Sequence, residues 1–289
     1  MSKLDKIKKI FSREYWPLVD QRYGLGALER IVNSNWYNPF ASLWLNLRSF
    51  PLGQALRMPV AVYGRPRLNC LSGHMRIEGK VIPGMIRFNA SLAGSPSNTS
   101  AHSDIFNAGT MIFEGPCFIA TGCRICVWPK AEMRLGAKTK IADYSNIVCA
   151  RSIVLEEGVR LTHRCQVFDS NFHYIADLDR REIKTANRPV RIGRHSWVCN
   201  SVTISPGAVL PEYSIVCSNS VVNKDFSAVE PCTLFGGIPA KPIRGGMVRV
   251  KNPDVELEII RYLNETGADA MPIDETYTPE RLSANGTIS

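Results

Sequence analysis

The sequence predicts an all-β protein, a three-sided parallel β-helix of six-residue units with short N-terminal and C-terminal helical segments. Three observations predict it. Branched aliphatic residues recur every six positions. The residue four further on is small or β-branched. From about residue 77, long helical periodicity gives way to short β-rich pieces punctuated by Gly, Asn, Pro and Ser.

The period is clearest toward the C-terminus, in Ile192, Val198, Ile204, Leu210, Val216 and Val222. Four residues after each stand Ser196, Val202, Ala208, Ser214, Ser220 and Phe226, of which all but Phe226 are small or β-branched. Upstream it runs through Phe113, Ile119 and Ile125, then Leu135, Ile141, Ile147 and Ile153, and resumes shifted by two at Leu155, Leu161 and Val167. A short strand and a tight turn repeating every six residues explain this spacing. Three units make one triangular coil, and coils stack at roughly 4.8 Å. The aliphatic side chain points into the prism, and the residue at the cramped corner has to be small. One unit cannot bury its own apolar residue, so a core forms only by stacking. Cys117, Cys123 and Cys165 fall at the small position, where a thiol acts as a small apolar group. Cys123 and Cys126 have the spacing of a metal or redox pair, but they sit at different phases of the repeat and no second such pair accompanies them.

This reading divides the chain into three parts. Residues 1–76 form a helical and irregular segment, 77–246 the β-helix, and 247–289 a C-terminal helix with an acidic tail. Within the first part, residues 3–14 read as a short basic amphipathic helix, packed on its own protein or touching a membrane surface. Residues 39–50 add an apolar segment too short to span a bilayer. Gly24 and Gly26 do not make a nucleotide loop, since no strand leads into them and the third glycine is missing. Between Val167 and Ile192 the repeat stops, and a polar stretch at about 172–190 is expected to leave the prism as a loop. After Phe226 the chain exits through GGIPAKPIRGG. Asn252 and Pro253 then open a helix as cap and first residue, and Gly267 stops it. The acidic remainder is expected to be poorly ordered.

Charge is uneven. Residues 1–250 carry 32 Lys/Arg against 18 Asp/Glu, and residues 251–289 carry 3 against 8. A basic body favours anionic partners such as phosphorylated cofactors. No nucleic-acid-binding motif is present, which speaks against nucleic acid. Nine cysteines with no signal peptide before them favour a reducing, cytoplasmic setting.

Of five histidines, His163 and His195 occupy outward positions and are expected to be exposed. His173 differs: it stands at the root of the ejected loop, after Asp169, Ser170 and Asn171. An imidazole titrating near pH 6.5 can take a hydroxyl proton there. Asp169 either orients that imidazole or caps a turn. Arg180, Arg181 and Lys184 on the loop, with Asn171, either hold an anionic acceptor, such as a sugar bearing phosphate or carboxylate, or are solvated.

The stretch 167–246 resembles the hexapeptide-repeat acetyltransferases of the galactoside, maltose and Nod-factor type, and their relatives in capsule and lipopolysaccharide biosynthesis. His173 opens the ejected loop, and Trp197 follows Ile192-Gly193. SVVNKD at 220–225 resembles the family's SVVTKD, and GGIPAK at 236–241 resembles GVPAK. The N-terminal part is similar to acyltransferases of bacterial surface-polysaccharide loci. The resemblance implies a left-handed β-helix, a homotrimer with active sites between prisms, and acetyl-CoA as donor without a metal. It implies His173 as general base toward a sugar hydroxyl, and a backbone N–H near Asn200 as oxyanion donor. Trp197 would wall the site against water. Asn200 and Ser218 would meet the pantetheine arm, Asn223 and Lys224 match the family's Thr-Lys pair, and Lys241 and Arg244 match cations near the nucleotide end. The chain departs from the pattern at Val198-Cys199, Asn223 and Tyr174. An N-acyltransferase on an amino sugar stays open, as does a zinc β-helix using His163, His173 and His195, although their spacing does not suit the latter.

Overall fold

A computed structural model describes residues 36–91 and 101–284. The basic segment 3–14 and the Gly24–Gly26 pair lie outside the described residues. From Val60 the chain winds around three faces in turn. The first face has nine strands from Val60–Val62 to Ala240–Arg244, the second seven from Arg67–Leu71 to Val221–Val222, and the third six from His74–Ile77 to Val209–Leu210. Pairing within the faces is parallel throughout, except where Ala240–Arg244 turns back on Leu234–Gly237. The coils therefore begin ahead of residue 77. The first turns lack the strict period, and only their pairing reveals them.

The six-residue period is the inward ladder. On the first face Ile119, Ile141, Leu161, Val198, Val216 and Phe235 stack in register, all at most 2% exposed. On the second, Ile125, Ile147, Val167, Ile204 and Val222 do the same. Burying each such side chain contributes about 1.5–3 kcal/mol. The shift by two has a simple cause. In Ser152–Leu155 both Ile153 and Leu155 point inward, opposite Val190 and Ile192. The small corner positions Ser196, Val202, Ala208, Ser214 and Ser220 are all at most 1% exposed. Phe226 breaks the rule where the stack ends, and its ring packs 5.0 Å from that of Phe235. Cys117, Cys123 and Cys165 are buried as expected, and burial pushes their thiols up to about 12, 12 and 11. Cys123 belongs to the prism core, whereas Cys126 pairs in register with Phe106 and Val148 on the outer side of the second face. Their spacing therefore does not make a pair.

The open N-terminal end is closed by side chains. Helix α1 (Pro39–Ser49), capped by Asn38, buries its polar side: Asn46 exchanges two hydrogen bonds with the Val60 backbone, and the Ser42 hydroxyl accepts from Val62 N–H. Gln54, in the short helix α2 (Leu52–Ala55), does the same for Ile77 on the third face. These amides stand in for the strand that the first coil lacks. At the other end, helix α3 (Pro253–Thr266) starts at Asn252 and stops at Gly267, as the sequence indicates. The acidic tail is ordered further than expected. Helix α4 (Pro279–Ser283) buries Leu282, and Arg281 and Tyr277 both reach Glu258.

Successive coils approach closely at Gly193, where an added Cβ would lie 2.6 Å from Glu212 N and Pro211 C. Backbone cannot yield as a flexible side chain does. Gly193→Ala is expected to lower stability by about 1–3 kcal/mol, read as a shift of the urea midpoint with unchanged m-value.

Candidate active site

The strand Gln166–Phe168 of the second face ends at Phe168, and the chain leaves the prism there. Residues 171–188 form a hairpin, Ile175–Asp177 pairing antiparallel with Glu182–Lys184, before the third face resumes at Val190. Its base is closed by Asn171 N–H to the Ala186 carbonyl (3.0 Å) and Arg188 N–H to the Asp169 carbonyl (2.8 Å). Phe172, at positive φ, packs against both Phe168 and Trp128 at 5.9 Å. The extruded loop is thus pinned by an aromatic anchor on the outer side of the second face.

Asp169 is fully buried, and its carboxylate faces the preceding turn. It accepts from the N–H groups of Ala150 (2.6 Å), Arg151 (2.7 Å) and Ser152 (2.6 Å). Of the two roles open in the sequence, the geometry selects the cap. Among the described residues no hydrogen bond joins Asp169 to His173, and its carboxylate is turned to these backbone donors instead. Three N–H donors converging on one anion hold the exact place where the loop departs.

His173 is exposed and lines an open cavity of about 600 Å³ formed by the hairpin residues themselves, with Asn171, Asp177, Glu182, Lys184 and Arg188 among its walls. Asn171 and Lys184 are where the sequence puts them. Arg180 and Arg181 are not on this cavity. They occupy the hairpin tip, where Arg180 turns toward Asp177 (3.8 Å). The wall includes instead Arg188, at the far root of the loop, which sequence reasoning missed. Its place as the last cation before the repeat resumes was the available signal.

The donor-side residues fall on separate parts of the prism. Asn200 and Ser218 are exposed on the edge between the first and second faces, in turns joined by Asn219 N–H to the Asn200 carbonyl. Asn223 and Lys224 follow Val221–Val222 on the edge between the second and third faces, the edge from which His173 departs. Lys241 and Arg244 lie exposed on the last strand of the first face. Trp197 is on the first face as well, between Arg160 and Ile215. One chain therefore does not bring His173 and Trp197 together. The three imidazoles of the zinc reading also separate. His163, His173 and His195 occupy three different edges, and no group of metal-ligating side chains forms among the described residues. Neither His163 nor His195 is fully exposed, contrary to expectation. His163 meets the Tyr144 ring edge-on at 5.8 Å, and His195 stacks on Tyr213 at 5.2 Å.

Trp197 carries a second layer. The strap 247–252 crosses the first face and sets the Arg249 guanidinium 4.6 Å above the indole. The Trp197 Nε1–H is buried without an acceptor. Burial pushes Lys251, further along the strap, down to about 8, and Lys140, Lys138, Arg249 and Arg160 add to the shift. Burial, with Arg160 next to it, takes Arg249 down to about 10. The strap cations were missed in the sequence, although the alternation Val248-Arg249-Val250-Lys251 is that of an extended segment with one basic side.

No protein-family model matches the chain. A curated relative is the Escherichia coli (strain K12) protein "Putative lipopolysaccharide biosynthesis O-acetyl transferase WbbJ", 23% identical over 150 residues, covering 48% of this chain and 74% of its own. The chain resembles the hexapeptide-repeat acetyltransferases. The crystal structure of the polySia-specific acetyltransferase NeuO aligns over 68% of this chain and 85% of its own, at 17% identity and a TM-score of 0.44. The hexapeptide-repeat acetyltransferase VCA0836 from Vibrio cholerae O1 biovar eltor, complexed with acetyl coenzyme A, aligns over 45% and 64%, at 28% identity and a TM-score of 0.34.

Two outcomes follow from this geometry. Asp169→Asn places an amide N–H₂ against backbone donors and should cost about 2–3 kcal/mol in urea unfolding. Lys251 has a folded pKa near 8 against 10.5 ordinarily, so the folded state holds fewer protons than the unfolded one between those values. Its charging penalty is fully present below pH 8 and fades as pH rises toward 10.5. The stability of Lys251→Met relative to wild type should therefore fall across that window, measured by urea midpoints at successive pH values.

Proposed function

We propose that this protein is a CoA-dependent O-acetyltransferase acting on a sugar hydroxyl of a surface-polysaccharide precursor. The observation that carries the reading is His173: an exposed imidazole lining a cavity at the extruded hairpin, on the prism edge that also bears Asn223 and Lys224. The curated relative, by its description, supports both the acetyl transfer and the polysaccharide setting. The exposed cations Lys224, Lys241 and Arg244 form no ion pair among the described residues, which suits phosphate groups of a CoA donor.

The bound donor supplies an acyl thioester. His173 takes the proton of the acceptor hydroxyl as its oxygen attacks the thioester carbonyl, and returns the proton to the departing thiolate. A backbone N–H near Asn200 stabilises the oxyanion, and Trp197 keeps water from the thioester. In one chain these groups lie on different edges, which supports a site shared between neighbouring prisms of a homotrimer. An apolar strip supports the same assembly. Phe106, Cys126, Val148 and Phe168 run in register along the outer side of the second face and lead to Phe172 beside His173. We place the protein in a reducing cytoplasm, since Cys117, Cys123, Cys149 and Cys165 are buried as thiols. A peripheral membrane contact draws support from the outer side of α1, where Phe40, Leu43, Trp44 and Leu47 are exposed. Among the described residues no helix is long and apolar enough to cross a membrane.

The test is CoA release from acetyl-CoA against a panel of sugars bearing hydroxyl or amino acceptors. His173→Ala should lower kcat by roughly 10²–10⁴-fold with little change in thermal stability. Near-normal turnover in that variant, or transfer to amines alone, would sink the proposal.

A further inference from the structure

Two cations meet at Trp197 from two directions, and Lys251 stands near them on the strap. Arg160 is the register neighbour of Trp197 on the preceding strand, with Lys140 one rung beyond. Arg249 lies over the ring, and Lys251 follows on the same strap. Among the described residues, Arg160, Arg249 and Lys251 make no ion pair. Two carboxylates are near. Glu256, in the first turn of α3, acts on Arg160 and Arg249, and Glu157 is tied to Lys138 at 2.8 Å. Partly burying like charges side by side is unfavourable unless an anion joins them. The buried indole N–H without an acceptor adds a donor at the same place.

Position identifies which anion. Along the first face the strands run in the order of Lys140, Arg160, Trp197, Ile215 and Leu234, and end with the strand bearing Lys241 and Arg244. At the usual strand spacing, Arg160 lies roughly 19 Å from that last strand, on the opposite side of Trp197. The cations that suit the donor's phosphates are therefore at one end of the face. The cluster at Arg160 is on the other side of the indole from them, which, with the donor laid along this face, leaves it to the acceptor.

We propose that Arg160 and Arg249 at Trp197, with Lys251 beside them on the strap, bind an acidic group on the acceptor glycan, a carboxylate or a phosphate. The inference rests on the acyltransferase reading above, with the donor laid along the same face. Guanidinium groups suit it because their fixed N–H forks match planar and tetrahedral oxyanions. The proposal narrows the acceptor class from sugars in general to uronic-acid-type or phosphorylated sugars.

Two measurements on the full chain test it. The first involves no turnover: thermal unfolding of wild type, Arg160→Gln and Lys251→Gln is followed in glucuronate, inorganic phosphate and glucose. The two anions should raise the wild-type Tm, glucose should not, and each variant should lose most of the rise. Lys251 lies on the strap outside the strands, so its variant reports even if Arg160→Gln fails to fold. The second is CoA release with matched neutral, carboxylated and phosphorylated oligosaccharides, which separates the two acids. The acidic-to-neutral ratio of kcat/KM should fall roughly tenfold or more in Arg160→Gln, since a charge-assisted bond is lost. An unchanged Tm response in both variants overturns the proposal. So does a raised KM for acetyl-CoA with an unchanged acidic-to-neutral ratio, which gives the cations to the donor. A lost Tm response in a protein that releases no CoA with any sugar upholds the anion site and removes the acyltransferase reading instead.

Discussion

Each coil of this prism is held in place by the coil above and the coil below. The inward side chains form continuous ladders, and no single turn has enough apolar surface to exclude water from its own core. Most other features are ways of living with that constraint. The corners must be narrow, so Ser, Ala, Val and Cys occupy them, and the Ser196 hydroxyl ties its corner to the neighbouring coil, donating to the Pro211 carbonyl and accepting from Ser214 N–H. The stack must also end. At the N-terminal end Asn46, Ser42 and Gln54 supply the hydrogen bonds of a missing coil, which is why α1 buries polar residues and presents apolar ones outward. At the other end Phe226 fills space that a further turn would occupy.

A core built this way leaves the outer surface free to vary. The chain can leave the prism between two strands and return, provided both roots are fixed. Asp169 supplies the fixing: its carboxylate holds the preceding turn, and its carbonyl holds Arg188, where the hairpin comes home. A buried anion with three backbone donors is rigid, and it stands four residues before His173. The aromatic trio Trp128, Phe168 and Phe172 adds a lateral anchor. The imidazole is exposed on a base held by these hydrogen bonds and ring contacts, which suits the proton transfer proposed for it.

Charge follows the same division between stack and strap. The basic body and the acidic C-terminal region are not independent parts. The tail folds back so that Glu280 reaches the Tyr213 hydroxyl and Glu256 comes near Arg160 and Arg249. That leaves the first face more positive than its local acids can balance. The excess is concentrated at Trp197, where Arg249 already uses the indole face in place of a carboxylate.

The sequence by itself determined the three-sided coil, the small corners, the extruded loop at 172–190, the α3 boundaries from Asn252 to Gly267, and the standing of His173 at a loop root. All of these are local or periodic, so the residues that cause them are near one another in the chain. What lies across the stack was decided only by the tertiary structure. The first coils at Val60 lack the strict period and show themselves only through pairing. Asp169 could be placed as a cap only when the turn at 150–152 came into view. Arg180 and Arg181 lie at a hairpin tip because the turn geometry puts them there. Arg160, Trp197 and the strap residues Arg249 and Lys251 come from three distant stretches of sequence and are brought to one face only by stacking and the returning strap. Period specifies a coil, but which outward side chains become neighbours depends on how many residues each coil spends and where the chain crosses back.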